Sequence, residues 1–507
     1  MHRRTADAAG APLRRCDRGA TMTPEPARAH TVSESGLVKA LGSLDVLFVG
    51  FGAMIGFGWI VLTSGWIQSA GTAGAMLAFA AGGVVMIFVG LVYSELVSAM
   101  PLAGGEHNYL LRGMGPRTAV FGSWAITGGY ISVVMFEAVV IPETVLYLVP
   151  DLEQVFLWSV AGSDVHLTWA LTGTVTAVIM GWINVRGIRT ASLVQTFIVC
   201  FLLLVGLFLI IGVFVGSEPA NAEPLFTGGA PGIIAVMVAV PFLFVGFDVI
   251  PQSAEEVKVP PRKIGKLVVF SVLMAIAWYL LIIFTSSMAI PAADLPNHDL
   301  VTADALSVLL GHEIWGTVVI AGGIAGILTS WNAFLIGASR LMFSMARARM
   351  IPLWFGKLHP RYRTPSNAVI FISALAAIAP FLGSGMIDWI VNAGSPAIII
   401  AYFLVSVVFL VLRRREPRMD RPMRVGGSGS AGGTVIGVLS VVLTACMFAL
   451  YLPLTPWSTD LGWPAWVMFG AWMLIGIWFM VRLPRGIRAG AGAEEELIAA
   501  VRRRRGE

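Results

Sequence analysis

Cysteine is nearly missing from this chain, with three among 507 residues. Cys16 sits in a polar leading segment and Cys200 and Cys446 inside apolar runs, spacings that exclude a metal-ligand set and a disulfide framework, so all three are expected as packing residues. Charge is scarce too. Asp, Glu, Lys and Arg make up 12% of the residues against 57% apolar, about half the charge of an average soluble domain, which excludes a string of water-soluble domains and points to a polytopic membrane protein. Seven histidines offer no ligand-spaced partners; His107, His166, His298 and His312 stand in or beside loops and are expected to be solvated. No Ser/His/Asp set or zinc-spaced His/Glu pair converges at one membrane face, so an enzyme is not expected, and neither is a cofactor or metal.

The most informative absence is that of basic residues from every second connecting segment. All 34 Lys and Arg fall in seven clusters, at 3–39, 112–117, 186–189, 258–266, 340–363, 413–424 and 482–505. Between successive clusters lie paired apolar runs: 44–66, 73–99, 119–149, 168–185, 191–215, 232–254, 266–290, 314–340, 367–383, 388–412, 433–453 and 461–482. Each is read as long enough to cross roughly 30 Å of hydrocarbon as a helix. Twelve crossings with basic residues on one side place that side and both termini in the cytoplasm, in a multi-pass protein of the cell membrane. Because the net charge of +5 follows topology and no basic stripe is interleaved with aromatics, nucleic-acid binding is not expected. The expected organisation is a disordered cytoplasmic tail over 1–40, a transmembrane domain over 41–485 and a cytoplasmic C-terminal tail over 486–507. GAEEELIAAVRRRRGE in that last tail has the pattern of a short helix but is read as solvated.

Two runs do not read as ordinary helices. GFGAMIGFG at 50–58 carries four glycines at mid-depth, and PFLFVGFDVIP at 241–251 brackets Gly246 and Asp248 with prolines. An unpaired amide in hydrocarbon costs several kcal/mol, so interruptions at membrane depth belong where protein or a watery cavity replaces the lost bonds. The two breaks are five crossings apart and therefore oppositely oriented, as an inverted repeat of five plus five helices requires, with two further helices peripheral. Freed N–H groups around Ala53, Met54, Ile55 and Gly56 suit a carboxylate, and freed carbonyls of Phe244, Val245 and Gly246 suit an ammonium.

At these residues the chain resembles the amino acid, polyamine and organocation transporter superfamily. GAMIGFGWI at 52–60 is similar to the family's glycine-rich first helix, YSELVSAMPLAGGEHNYL at 93–110 to its second-helix exit, GFDVIPQSAEEVKVPPRKIG at 246–265 to its sixth helix and following loop, and SRLMFSMARARMIP at 339–352 to the loop after helix eight. The resemblance implies an all-α leucine-transporter-type fold working by alternating access, with substrate between broken helices one and six. Two departures stand out. The fifth run, VQTFIVCFLLLVGLF, lacks the lysine that some proton-coupled members carry there, and Trp59 replaces a smaller aliphatic residue, which bears on pocket size.

A charge at bilayer depth is costly, so Glu137 and Asp248 need a reason. Each has three open readings: a proton carrier, a partner for a cationic amine, or a carboxyl satisfied by its neighbours. Trp331 and Asn332, at membrane depth in the eighth run, are candidates for substrate contact or for packing and interhelical bonding. Asp45 and Glu95 are expected as capping or interfacial residues, and Glu255 and Glu256 as members of an ion-pair cluster with Lys258, Arg262 and Lys263. The expected function is a secondary permease for an amino acid or related amine, coupled to protons or working by exchange. A sodium-coupled symporter, using Thr329 and Ser330 between helices one and eight, and a non-transporting nutrient sensor remain alternatives.

Overall fold

The computed structural model describes Lys39 and residues 41–298, 300–427, 430–452 and 461–505. The segment read as a leading tail, with Cys16, lies outside the described residues apart from Lys39. The described chain is almost wholly helical, and eleven helices are long and apolar enough to cross a membrane by length and composition. They match the predicted runs except the ninth, where Ser366–Leu382 is a shorter apolar helix whose last turn, Ala379–Leu382, tightens at Pro380. Seventeen residues at about 1.5 Å each span only ~26 Å.

Three elements outside the long helices were not expected, and a fourth, the C-terminal helix, was expected in solvent. A hairpin pairs Phe156–Val160 with Ser163–His166, and Val301–Leu310 forms a helix between the seventh and eighth long apolar segments. Glu106–Met114 makes a short helix on the basic face. Ala493–Arg505 is helical and not a free tail: Ala493, Leu497 and Val501 are buried against the Glu106–Met114 helix and the start of the third crossing.

The first crossing runs as Ser43–Met54, breaks over residues 55–57, and resumes as Gly58–Val61 and Thr63–Ala70. The sixth runs as Gly229–Met237 and Val240–Phe244, breaks over residues 245–248, and resumes as Val249–Gln252. Gly246 takes φ of 137°, a conformation that a side chain would strain. Around the two breaks pack the third crossing, Pro116–Leu148, the seventh, Pro261–Ala289, and the eighth, Ile314–Arg347.

Cys200 and Cys446 are exposed on their helices and do not pack into the core as expected. Glu95, expected at the interface, is fully buried and held by Arg413 (Nη2–Oε2 2.5 Å) and Arg421 (Nε–Oε1 3.1 Å). Asp45 does cap its helix, accepting the Gly42 amide at 2.8 Å. Glu256 pairs with Arg340, not with the nearby lysines: Nε donates to Oε1 at 2.8 Å and both side chains are 3% exposed.

Candidate substrate site between the two broken helices

The breaks lie against each other. A Cβ placed on Gly246 would stand 2.7 Å from the Ala53 Cβ and 3.0 Å from the Met54 nitrogen, so glycine is what lets the sixth chain approach the first. On the opposite side, a Cβ on Gly326 of the eighth helix would stand 2.7 Å from the Ile55 carbonyl oxygen and 2.8 Å from that of Gly56. The broken stretch of the first crossing is thus sandwiched between two backbones.

One side chain spans both interruptions. The Tyr279 hydroxyl donates to the Met54 carbonyl at 2.8 Å and lies 3.3 Å from that of Leu243, supplying a donor to the carbonyls that the breaks release. The Thr329 hydroxyl sits 2.9 Å from the Gly326 carbonyl and 3.2 Å from that of Gly52. Gln195 of the fifth crossing donates to the Phe48 carbonyl at 3.1 Å. A neutral amide of the fifth crossing thus stands against the first helix at Phe48 and Gly52. The amides of Gly56, Phe57, Gly58 and Trp59 make no backbone hydrogen bond across the break.

Between the breaks remains a cavity of about 20 Å³, room for about one water. Ala53, Met54, Gly56 and Glu137 line it. Gly56 touches the Glu137 carboxyl: a Cβ there would collide with Oε1 and stand 3.1 Å from the Ser330 hydroxyl. Glu137 is 1% exposed and its Oε2 has no hydrogen-bond partner.

Other predicted residues lie nearby without lining the cavity. Ile55 is fully buried beneath Gly326. Phe244 packs on Phe79 and Tyr279 at ring distances of 6.3 and 5.3 Å. Val245 and Gly246 form the turn, and the Gly246 carbonyl accepts the Val249 amide at 3.1 Å. The Asp248 carboxyl is engaged within the turn, accepting the Gly246 amide at 2.8 Å and the Tyr130 hydroxyl at 2.7 Å. Trp331 and Asn332 are buried, with Trp331 Nε1 and Asn332 Oδ1 unpartnered, on a different face of the eighth helix from Ser330 and Phe334, which do line the cavity. Trp59 turns away to the seventh helix, edge-on to Trp278 at 5.2 Å.

The remaining lining residues, among them Phe57, Val133, Phe136, Phe242, Leu243 and Tyr279, were not singled out in the sequence. Two signals pointed to some of them. Val133 and Phe136 lie four and one residues before Glu137, and a lone tyrosine in the seventh apolar run, AIAWYLLII, has to find an acceptor for its hydroxyl.

Larger cavities open at each end. One of about 240 Å³, lined by Trp66, Ala235, Asp388 and Asn392 among others, lies away from the basic face. One of about 560 Å³, lined by Ala103, His107, Asn108, Glu255, Arg347 and Glu494 among others, lies on it.

His107, expected in solvent, is 1% exposed with Nδ1 unpartnered, and burial pulls its pKa down to about 4. The unfolded chain, with an imidazole near 6.5, then takes up this proton first. Stability is unaffected above about pH 6.5 and falls as pH drops toward 4, by about 3 kcal/mol in all. His107→Gln is expected to flatten that acid loss in a thermal-unfolding series; an unchanged slope contradicts it. His298 is also not free, since Nδ1 lies 2.8 Å from Asp304 Oδ2, whereas His312 stays in an exposed turn, its Nδ1 accepting the Ile314 amide.

The family model described as amino acid permease matches residues 41–479. Over 460 residues the chain is 28% identical to the branched-chain amino acid permease BcaP of Bacillus subtilis, covering 87% of this chain and 93% of that one. It is 26% identical over 459 residues to the methylthioribose transporter of the same organism (87% and 94% covered), and 26% identical over 451 residues to its aspartate-proton symporter (84% and 80%). A multi-pass helical protein with paired helix breaks, matched by that model over most of its length, this chain belongs to the amino acid permease family.

Proposed function

We propose that the protein is a secondary active transporter that carries an amino acid or related amine across the cell membrane by alternating access, holding its substrate between the breaks of the first and sixth helices. The observation that carries this reading is the contact of the two breaks at Gly246 and Ala53, bridged by the Tyr279 hydroxyl. Twelve crossings, with the first ten as a five-plus-five inverted repeat and the basic face cytoplasmic, complete the architecture. The amides of Gly56 to Trp59 receive the substrate carboxylate, and Glu137 with the Phe244 and Val245 carbonyls receives the ammonium. Phe136, Phe242, Leu243 and Phe334 wall the rest. An apolar side chain fits such walls better than an acidic one, which would meet the Glu137 carboxyl.

A cavity of about 20 Å³ is far below the ~300 Å³ or more of common ligand pockets. Substrate entry thus requires these side chains to separate toward one of the two end cavities at a time. Proton coupling is the preferred drive, in keeping with the proton-symporting relative and with the buried Glu137 carboxyl.

Uptake of labelled leucine into proteoliposomes, competed by a panel of amino acids and amines under imposed proton or sodium gradients, tests this reading. Saturable, proton-driven uptake is expected. Ligand-dependent stabilisation without flux makes the protein a sensor, and uptake that follows sodium alone moves the coupling to the Thr329 and Ser330 hydroxyls. In the same assay Glu137→Gln is expected to lower uptake about tenfold, ~1.4 kcal/mol, and to change its pH profile. An unaltered profile leaves Glu137 a structural residue.

A further inference from the structure

A second buried carboxyl group, not called upon above, lies toward the basic face from the sixth-helix break. Glu106 opens the short helix Glu106–Met114 and is fully buried. Its Oε2 accepts the Tyr93 hydroxyl in a short hydrogen bond, and its Oε1 accepts Gln252 Nε2 at 3.1 Å. Facing it are Tyr93 of the second crossing, Tyr109 of its own helix, Tyr130 of the third, Asp248 of the sixth and Tyr402 of the tenth. None is a cation. Among the described residues no cation acts on Glu106; of the nearby guanidinium groups, Arg340 holds Glu256, Arg112 holds Glu416, and Arg413 holds Glu95. His107 is buried beside it with an imidazole held neutral by its surroundings.

A carboxylate deep in protein needs a counter-charge or a proton. Here two carboxyl groups, Glu106 and Asp248, share one box of tyrosines with no counter-charge among the described residues. Asp248 already accepts both an amide and a phenol. Burial, reinforced by the Asp248 charge, pushes the Glu106 carboxyl well above the usual carboxylate range. A separate observation points the same way. Gln252 Oε1 is buried without a hydrogen-bond partner. The two ends of a glutamine amide are interchangeable by rotation, so Gln252 can donate Nε2 to ionised Glu106 or present Oε1 to a Glu106 O–H. A proton on Glu106 therefore gives Gln252 Oε1 a donor, in a cluster where the Tyr109 and Tyr402 hydroxyls and His107 Nδ1 are also buried without partners.

The surrounding backbone ties this carboxyl to the sixth helix. The Gly104 amide donates to the Gln252 carbonyl at 3.1 Å, and the Ala103 amide to Glu255 Oε1 at 3.0 Å. A Cβ on Gly105 would stand 3.0 Å from the Pro251 backbone. The 103–105 loop is thus pressed onto the inner half of the sixth helix, and Ala103, His107 and Asn108 line the inner cavity.

We propose that Glu106 is a proton-binding site of the transport cycle, carrying a proton while the 103–105 loop and the inner half of the sixth helix are in contact and releasing it when they part. On release the Glu106 O–H bond breaks, the proton passes to water in the inner cavity, and the Gln252 amide rotates from accepting to donating. The link to transport rests on the proposed function; the protonation itself does not.

Infrared spectra of the purified full-length protein, titrated over roughly pH 4 to 10, test the site directly. The wild type is expected to keep a protonated-carboxyl stretch above the ordinary carboxyl range, and Glu106→Gln to lose one carboxyl's share of it. Equal bands in both proteins at every pH overturn the proposal. Tyr93→Phe removes a donor to the ionised form and is expected to move the midpoint up by about one pH unit; an unmoved midpoint also overturns it. In proteoliposomes, proton flux per substrate should fall at least twofold in Glu106→Gln. Unchanged flux with a lost band overturns the link to the cycle. No substrate movement even in the wild type, with the band behaving as expected, overturns the transporter reading and leaves the proton site standing.

Discussion

Gly56→Leu is expected to abolish saturable uptake, raising the substrate concentration needed for half-maximal binding at least a hundredfold, ~2.7 kcal/mol or more. Gly56 has no left-handed backbone angle to protect, unlike Gly246 at φ 137°, so the substitution acts through volume. Its first added carbon already meets Glu137 Oε1 and comes within 3.1 Å of Ser330 Oγ, and the cavity beyond offers about 20 Å³. Gly56→Ala should be graded, weakening binding about tenfold because the Glu137 side chain can retreat. Thermal unfolding in detergent without substrate separates loss of binding from loss of fold. A well-folded Gly56→Leu protein with native affinity would place the substrate somewhere other than the first break.

The breaks were legible because helix breakers act locally: four glycines at 50–58, and Pro241, Gly246 and Pro251 in the sixth run, interrupt a backbone whatever surrounds them. Their partners were not. On a membrane helix the lipid-facing side is as apolar as the packed side, so no periodic pattern marks which residues of the third, seventh and eighth crossings turn inward. The same uniformity hid the exposure of Cys200 and Cys446. Glu137 was conspicuous as a charge in an apolar run, yet its contacts with Gly56 and Ser330 depend on helices distant in sequence. His107 and Glu95 were misplaced for a related reason. Each sits near a helix end, where solvent is the default, but His107 is carried into the interior on the short helix Glu106–Met114, and Arg413 and Arg421 close over Glu95. The docked C-terminal helix did leave a trace, in Ala493, Leu497 and Val501 at four-residue spacing.

Arg340→Ala is expected to cost about 3–5 kcal/mol of stability while leaving substrate affinity within about twofold. Its guanidinium donates to Glu256 Oε1 at 2.8 Å, with Nη2 3.4 Å from Oε2 and Nη1 3.1 Å from the Ser339 hydroxyl, all buried. Removing the arginine strands the Glu256 carboxylate in a site 3% exposed, and an uncompensated buried charge costs more than the pair contributes. The damage reaches the first helix through the backbone. Leu41 donates to the Glu256 carbonyl at 3.0 Å and accepts the Lys258 amide at 2.9 Å, so the start of the first crossing is fastened to the segment that Arg340 anchors to the eighth. Transport rate should therefore fall with the thermal midpoint, because the strut that holds the helix ends on the basic face in register is gone. Arg340→Leu combined with Glu256→Leu removes both charges and is expected to recover much of the stability but not the rate. If instead Arg340→Ala keeps its thermal midpoint and loses only affinity, Arg340 acts on the substrate and the fastening of the basic face lies elsewhere.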